Sequence, residues 1–433
     1  MNPPSIDSAA RMVGHSNAGT NSRQVEPYHI PRPINAASSD ELTAVVLSCF
    51  LPKLQKSLPS FDTSTSQVCG SWVEMLPSIV ARAHSGELIT AATRAFGTII
   101  LDRGPEGKHK IFHAIEEYVA TLQKLNIALQ SSESFFKIET AAAILCLAMV
   151  ELMLPKSEGN TFAHFGGLGA LINMYSPEVF SSGDFHLIFL GCRSVLLFQA
   201  LNARKSSFLG QEEWLTTPFR HHLPSDMQKL IGDVAVLPSI LEEIDTLQAL
   251  PPDAAVQRAY MAKIALSGVH DRLSKWDGRF GKEEKSNHEF LQHTDITDRW
   301  KDEVLDFWFS SLLAANVYTH MWDFQIICRT EIAELSSFVR DCNGYGIARV
   351  GKAREEHDPR LLALATRIYQ CMEYLLQDEM MLYGPAAAIF PLKTAYNVLI
   401  RDMDGNKEQI KRCWKYFDRV CGKGFLSASV GTI

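Results

Sequence analysis

Apolar residues recur at helical spacing along most of this chain, and this periodicity constrains the fold more than any other feature. The longest apolar run, AAAILCLAMV at 141–150, lies between Glu139 and Glu151. It is too short to cross a bilayer, so it predicts a buried helix. No alternating run of β-branched residues and no hairpin turn signal stands out. The sequence therefore predicts an all-α protein, a large irregular helical array with no sheet.

Local signals place the ends of several predicted helices. Ser38 and Glu41 fit a capping box that opens a helix over 41–54, and Ser176-Pro177-Glu178 fits an N-cap serine followed by proline at the first helical position. The other predicted helical segments are 72–83, 111–129, 135–154, 186–203, 300–322, 361–381 and 391–403.

Two of these segments carry an apolar stripe that predicts the side of the helix facing the core. In the first, the stripe is Ile111, Ile115, Tyr118, Leu122, Leu125 and Leu129. In the second, it is Trp300, Val304, Phe307, Trp308, Ser311, Leu312 and Ala315. The aromatic residues of the second stripe could line a ligand cavity, but aromatic rings usually serve core packing.

Composition divides the chain into a tail and a helical body. Residues 1–40 are rich in Ser, Pro and Asn, which is typical of a disordered tail, and residues 41–433 form the predicted helical domain. Polar breaks at 205–226 and 278–297 predict either loops within one domain or a soft boundary between two subdomains, the second break above all. No fixed repeat period indicates a helical-repeat array.

Charge and cysteine spacing exclude several kinds of protein. The net charge is −7, and no short Lys/Arg-rich cluster is present, so we expect no direct DNA contact from this chain alone. The N-terminus has no apolar signal-peptide segment. The nine cysteines are spread too widely for a CxxC zinc site, and several fall in apolar helical runs. This usage fits a reducing intracellular compartment without a membrane anchor.

The segment HFGGLGALI at 164–172 raises the question of a nucleotide site. Glycine-rich turns that open a helix can bind phosphate through backbone N–H groups. A dinucleotide site, however, requires GxGxxG directly after a strand, whereas here the order is GGxG after a helix and a polar loop. We therefore interpret Gly166, Gly167 and Gly169 as small residues that let a neighbouring helix come close.

The histidines and paired acids also fit structural roles better than chemistry. His288 and His293 form HExxxH, whose spacing turns a helix by about 500° and separates the two rings. His221-His222 and His357-Asp358 are predicted to lie on the surface, as are the pairs Glu116-Glu117, Glu212-Glu213 and Glu242-Glu243. A Cys–His dyad formed by distant segments stays open. We expect no catalytic, cofactor-binding or metal-binding residue, and no enzyme.

Two segments in succession resemble one known family. The segment IETAAAILCLAMVELMLPKSEGNTFAHFGGLGALI at 138–172 is similar to the fungal-specific regulatory domain of zinc-binuclear-cluster transcription factors. The matching positions are His164, Gly167, Leu171 and Ile172. The segment ALNARKSSFLGQEEWLTTPF at 200–219 resembles the next part of that domain through Arg204, Phe208, Leu209, Trp214 and Pro218.

The resemblance continues to the C-terminus in the same order. The segment IFPLKTAYNVLIRD at 389–402, Trp414 and Gly424-Phe425 resemble the closing helices, so the similarity covers residues 41–430. The family's six-cysteine DNA-binding module is missing from this sequence, because residues 1–40 contain no cysteine and the first is Cys49. The resemblance implies the regulatory body without zinc or base contacts, unless an upstream exon carries the module.

What the resemblance implies is a nuclear regulator of metabolic or secondary-metabolite genes. Such a chain would act through a DNA-binding transcription factor or a homo- or heterodimer partner, and a small-molecule effector could bind between its helices. Two alternatives remain open: an all-α enzyme or small-molecule-binding protein, and a paralogue that dimerises with a full-length relative and blocks it.

Overall fold

The structure is a computed structural model that describes residues 38–53, 72–83, 87–103, 111–130, 137–155, 163–292, 307–309, 311–342 and 358–429. Within 163–165 and 280–292 only the main chain is described. The described residues are helices and turns without a strand, which confirms the all-α prediction. They form one compact unit from Ser38 onwards. The predicted tail lies outside the described residues up to position 37.

The helices follow one another along the chain. The first eight are α1 (Ser39–Phe50), α2 (Leu76–Arg82), α3 (Leu88–Arg103), α4 (Phe112–Gln130), α5 (Ile138–Met153), α6 (Ala163–Asn173), α7 (Gly183–Ala203) and α8 (Glu212–Thr216). The next are α9 (Asp226–Val234), α10 (Leu237–Asp245), α11 (Pro252–Gln292), α12 (Leu312–Cys342), α13 (Pro359–Gln370), α14 (Met372–Leu375), α15 (Tyr383–Leu399) and α16 (Lys407–Gly422).

The two capping signals have different outcomes. The capping box is confirmed, because the Ser38 side chain accepts from Glu41 N–H at 3.2 Å and Ser38 N–H donates to the Glu41 carboxylate at 2.7 Å. That helix ends earlier than predicted, at Phe50, since the chain turns extended just before Pro52. Pro177 opens only a short 3₁₀ turn, and the long helix α7 begins afterwards, at Gly183.

The central apolar run forms α5, as predicted. Every side chain from 141 to 148 is buried, and α5 packs between α3 and α7. Among the described residues, α7 is the helix whose length and hydropathy would suffice to cross a membrane. Most of it is buried inside the fold, and a core helix of this kind has the same composition as a membrane span.

The stripe predicted on α4 is only partly buried. The side chains of Ala114, Thr121 and Leu125 face α3 and α5, whereas Ile115 is 39% exposed and Leu129 is 51% exposed. Tyr118 and Leu122 are partly buried against the core, so the apolar sector of α4 is wider than its contact. An apolar side of α4 consequently faces outward.

The stripe predicted over 300–322 is confirmed only in its last part, because Leu312 and Ala315 are helical and buried, whereas Phe307 and Trp308 are not helical. Residues 307–309 are not helical, and α12 begins only at Leu312, while Trp300 and Val304 lie outside the described residues. Phe307 N–H donates to Gln370 O at 3.1 Å, and the Phe307 ring packs against Trp322. Tertiary contacts with α12 and α13 therefore hold this segment in a non-helical form.

The two polar breaks also differ. The break at 205–226 consists of short turns around α8, as predicted. The loop prediction for 278–297 is wrong over 278–292, because this stretch continues α11 as helix; residues 293–297 lie outside the described part of the chain. Lys and Glu are good helix formers, so a run of charges need not interrupt a helix that is already anchored.

Candidate functional site

The glycine segment forms α6, and its glycines do not serve a close helix contact. A Cβ at Gly166 or Gly167 would meet no atom of the described residues within 4 Å, and one at Gly169 would touch Leu196 Cδ2 at an ordinary 3.4 Å. The close-packing interpretation is therefore wrong for Gly166 and Gly167. The close approach occurs elsewhere, where Gly191 of α7 leaves room for the ring of Trp72.

A cavity of about 340 Å³ opens beside α6, and the glycines form one side of it. We call it the α6 cavity. Its small and apolar walls are Gly166, Gly169, Ala170, Leu196, Ala200 and Phe208. Its polar groups are Asn173, Gln199, Lys205, Ser206 and Ser207. Apolar walls with a few polar groups are typical of sites for small molecules.

One border of the α6 cavity is fixed by Arg204, which ends α7 in the left-handed conformation with φ 50°. Its guanidinium reaches two helices: Nε donates to Asp245 Oδ1 of α10 at 2.9 Å, and Nη2 donates to Glu331 Oε2 of α12 at 3.2 Å. The hydrogen bond to Glu331 is the main cause that raises the pKa of Arg204. These bonds set the direction in which the chain leaves α7.

The next residues of this loop are held by Glu242 of α10. The carboxylate accepts from Ser206 N–H at 2.9 Å and from Lys205 Nζ at 3.1 Å. The hydrogen bonds from Ser206, followed by Lys205, lower the pKa of Glu242 to about 2. Glu242 was predicted to be a solvated acid, but it positions the polar side of the α6 cavity.

The two segments that carry the family resemblance meet at this cavity. The Phe208 ring lies 4.6 Å from the ring of Trp214, which packs against Phe180 and Phe189 in the core. A Cβ at Gly169 would lie 3.9 Å from Phe208, so the segment 164–172 contacts the segment 200–219. The side chain of His164 lies outside the described residues.

A second cavity, of about 500 Å³, is lined by residues of α1, α3 and α5 and by the chain around 378–382 and 423. Its apolar lining is Ile100, Leu101, Met153, Met381 and Leu382, with Cys49 beside them. Its charged lining is Lys53, Arg103, Asp378 and Lys423. Sequence reasoning missed this second cavity, because its lining comes from segments that are far apart along the chain.

The histidines singled out in the sequence do not come together as a site. His221 and His222 are exposed, as predicted, and the ring of His222 stacks on the buried His186 at 4.8 Å. Burial lowers the pKa of His186. His293 and His357, and the side chain of His288, lie outside the described residues. Asp358 caps α13 and pairs with Arg329 at 2.7 Å.

In the described part of the chain, α12 carries a row of buried polar side chains that includes two titratable groups. Asn316, Thr319, His320, Asp323 and Gln325 are all at most 3% exposed. Burial raises the pKa of Asp323 to about 8 and lowers the pKa of His320 to about 4. Both side chains are therefore neutral at pH 7 and shielded from solvent. Within the described residues, no group of three His, Cys, Asp or Glu could hold a metal ion.

No family model, curated protein or solved structure matches this chain. Of the sites described, the α6 cavity combines the glycine segment, a loop fixed from two helices and a mixture of apolar and polar walls.

Proposed function

We propose that this protein is a regulator-like protein that controls a set of metabolic genes through protein partners and responds to a small molecule in the α6 cavity. The observation that carries the proposal is the cavity itself, since Gly166 borders a space that no described side chain occupies within 4 Å of its Cβ position. The resemblance to the regulatory domain of zinc-binuclear-cluster transcription factors supplies the nuclear and transcriptional part.

The surface supports action through a protein partner. Phe112, Ile115 and Val119 lie on one side of α4 and are 70%, 39% and 46% exposed. An outward apolar helix side is a common means of docking to another protein. The net charge of −7 favours such a partner over direct contact with nucleic acid, whose backbone is negatively charged. The partner proposed is a DNA-binding transcription factor.

The cavity is compatible with an effector that has an apolar body and a polar end. Leu196 and Phe208 offer apolar contact, whereas Asn173 and Gln199 offer amide donors and acceptors. The positive charge of Lys205 is offset by its ion pair with Glu242, so the cavity does not favour a strongly anionic ligand. An uncharged or weakly polar metabolite fits this chemistry best.

The experiment that tests the proposal compares transcripts of a deletion strain with those of its parent and of complemented strains. Gly166→Leu fills the α6 cavity, and Gly167→Leu is the matched control, because Gly167 lies on the same helix with equally open surroundings and does not line the cavity. We expect a coherent set of pathway genes to change on deletion. The Gly167→Leu strain restores the parental pattern, and the Gly166→Leu strain does not respond to the inducing condition.

A third complementing variant distinguishes the two cavities. Leu101→Trp adds bulk to the second cavity and leaves the α6 cavity untouched. Loss of the response in Leu101→Trp with full response in Gly166→Leu would move the effector to the second cavity. Unchanged transcripts in the deletion strain would refute the regulatory role outright.

The cavity also favours one second candidate, a small-molecule-binding protein without a role in transcription. This function predicts a changed metabolite level on deletion while transcripts stay constant. The same strains therefore decide between the two, since the Gly166→Leu variant would then alter the metabolite and leave every transcript at its parental level.

A further inference from the structure

Three arginines line a cavity of about 220 Å³ between α11, α12 and α13. We call it the arginine cavity. Arg329 comes from α12, and Arg360 and Arg367 come from α13, while His270 and Ser274 of α11 form the opposite wall. This concentration of guanidinium groups occurs on a chain whose net charge is −7. The cavity is separate from the α6 cavity and from the second cavity, with which it shares no lining residue.

Two of the three guanidiniums are held in place by the protein. Arg329 donates to Asp358 Oδ2 through Nε at 3.2 Å and through Nη2 at 2.7 Å. Arg367 Nη1 donates to Asp277 Oδ1 at 3.4 Å, and its guanidinium carbon lies 5.7 Å from the centre of the Trp322 ring. Groups that are already positioned lose little conformational entropy when a ligand binds.

Arg360 differs from the other two arginines. It is exposed, and its side chain has no hydrogen-bond or ion-pair partner among the described residues. It lies in the first turn of α13, where the helix dipole adds a further positive field. Its charge is therefore available to a ligand at the edge of the cavity.

The one acid in the lining, Asp277, is already engaged by the protein. Its two oxygens accept from Trp322 Nε1 at 3.2 Å and from Gln325 Nε2 at 3.1 Å, besides the bond from Arg367. Arg329 is paired with Asp358 and Arg367 with Asp277, so Arg360 is the lining arginine whose charge no ion pair offsets within the described residues. Burial is the main cause that lowers the pKa of His270; Arg329 and Arg360 lower it further, whereas Asp271 and Asp277 act in the opposite direction.

We propose that the arginine cavity binds the phosphate group of a small phosphomonoester. Guanidinium forks make paired hydrogen bonds to phosphate oxygens, and three of them converge here from two helices. Ser274 lies in the lining on the third helix, and its hydroxyl donates to His270 O at 2.9 Å. The volume of about 220 Å³ admits a phosphate with a few attached carbon atoms. This inference concerns a different site from the proposed effector cavity, so either can fail without the other.

The test is calorimetric titration of the full chain with glycerol 3-phosphate and with inorganic phosphate, at ionic strength held constant with sodium chloride. We expect saturable binding of glycerol 3-phosphate. Arg360→Ala should weaken it about tenfold, which is the effect of one lost charge-assisted hydrogen bond. Arg258→Ala is the matched control: Arg258 is an exposed arginine of α11 outside the cavity, and its loss should leave the affinity unchanged.

Three outcomes would overturn the proposal. The first is the absence of saturable binding to the wild-type protein. The second is an equal loss of affinity in Arg360→Ala and Arg258→Ala, which would show only a general effect of net charge. The third is binding of inorganic phosphate without binding of glycerol 3-phosphate, since the cavity would then be too small for an ester.

Discussion

Replacing Asp323 by asparagine should change how the stability of this protein depends on pH. The carboxyl group is fully buried, and its pKa is raised from 3.8 to about 8 in the folded protein. The pKa of Asp323 is higher in the folded protein than in the unfolded chain. The protonated carboxyl group therefore makes its full contribution to the free energy of unfolding below pH 3.8, and this contribution is lost as pH rises to about 8. Burial has the opposite effect on His320, whose pKa falls from 6.5 to about 4.

Asp323 and His320 have opposite effects on how the free energy of unfolding depends on pH, and these effects cancel over part of the pH range. Between pH 4 and 6.5 the unfolded chain carries one proton on His320, and the folded protein carries one on Asp323, so unfolding takes up no net proton. Between pH 6.5 and 8 only the folded protein holds a proton. At about 1.4 kcal/mol per pH unit, the free energy of unfolding should fall by about 2 kcal/mol across that interval.

Asp323→Asn keeps the shape of the side chain and removes the proton. The variant should show no decline between pH 6.5 and 8, and His320 alone should then make it less stable as pH falls from 6.5 towards 4. Urea unfolding followed by circular dichroism over this range measures both slopes. Asp341→Asn, at an exposed position on the same helix, is the control and should keep the wild-type profile. A decline above pH 6.5 that persists in Asp323→Asn would refute the reasoning.

Two further substitutions test the packing by urea unfolding. Gly384→Ala would place a Cβ 2.1 Å from Leu375 O, so we expect it to cost about 3 kcal/mol. Gly166→Ala is the control, because its surroundings are open, and it should raise the free energy of unfolding by about 0.5 kcal/mol. If both substitutions changed the free energy of unfolding equally, the predicted clash at Gly384 would be contradicted. Arg204→Ala leaves the carboxylate of Glu331 uncompensated and should cost about 2 kcal/mol. Adding Glu331→Gln should recover part of that loss, and no recovery would speak against the ion pair.

The parts of the fold that follow from local signals could be predicted from the sequence. The capping box at Ser38 depends on two side chains three residues apart, and both hydrogen bonds form. The run at 141–150 is apolar on every side, so no rotation of α5 could expose it without cost. Such features can be predicted without knowing which elements pack beside them.

The parts that failed depend on what each segment meets in the folded chain. The aromatic residues at 307–309 have helical spacing, yet they pack against α12 and α13 from a non-helical segment. The side of α4 that faces the core is determined by where α3 and α5 pack, and the apolar stripe alone does not indicate their positions. Tertiary contacts outweighed the local pattern in both cases.

The candidate sites were harder to predict than the fold. The sequence pattern singles out Gly166 and Gly169, but the spacing of glycines alone cannot distinguish a glycine that admits a neighbouring helix from one that borders a cavity. No sequence pattern indicates the arginine cavity, because Arg329 and Arg367 lie in separate segments and each resembles an ordinary surface arginine in the sequence. Only the packing of α11, α12 and α13 brings them together.

The left-handed end of α7 has a consequence for engineering. Arg204 adopts a backbone conformation that costs a residue other than glycine about 1 kcal/mol, so a stabilisation screen guided by backbone geometry would select glycine there. Glycine would relieve the backbone and remove the side chain that joins α7 to α10 and α12. The more stable helix end would come with a looser border of the α6 cavity, so thermostability and ligand response should be scored together at this position.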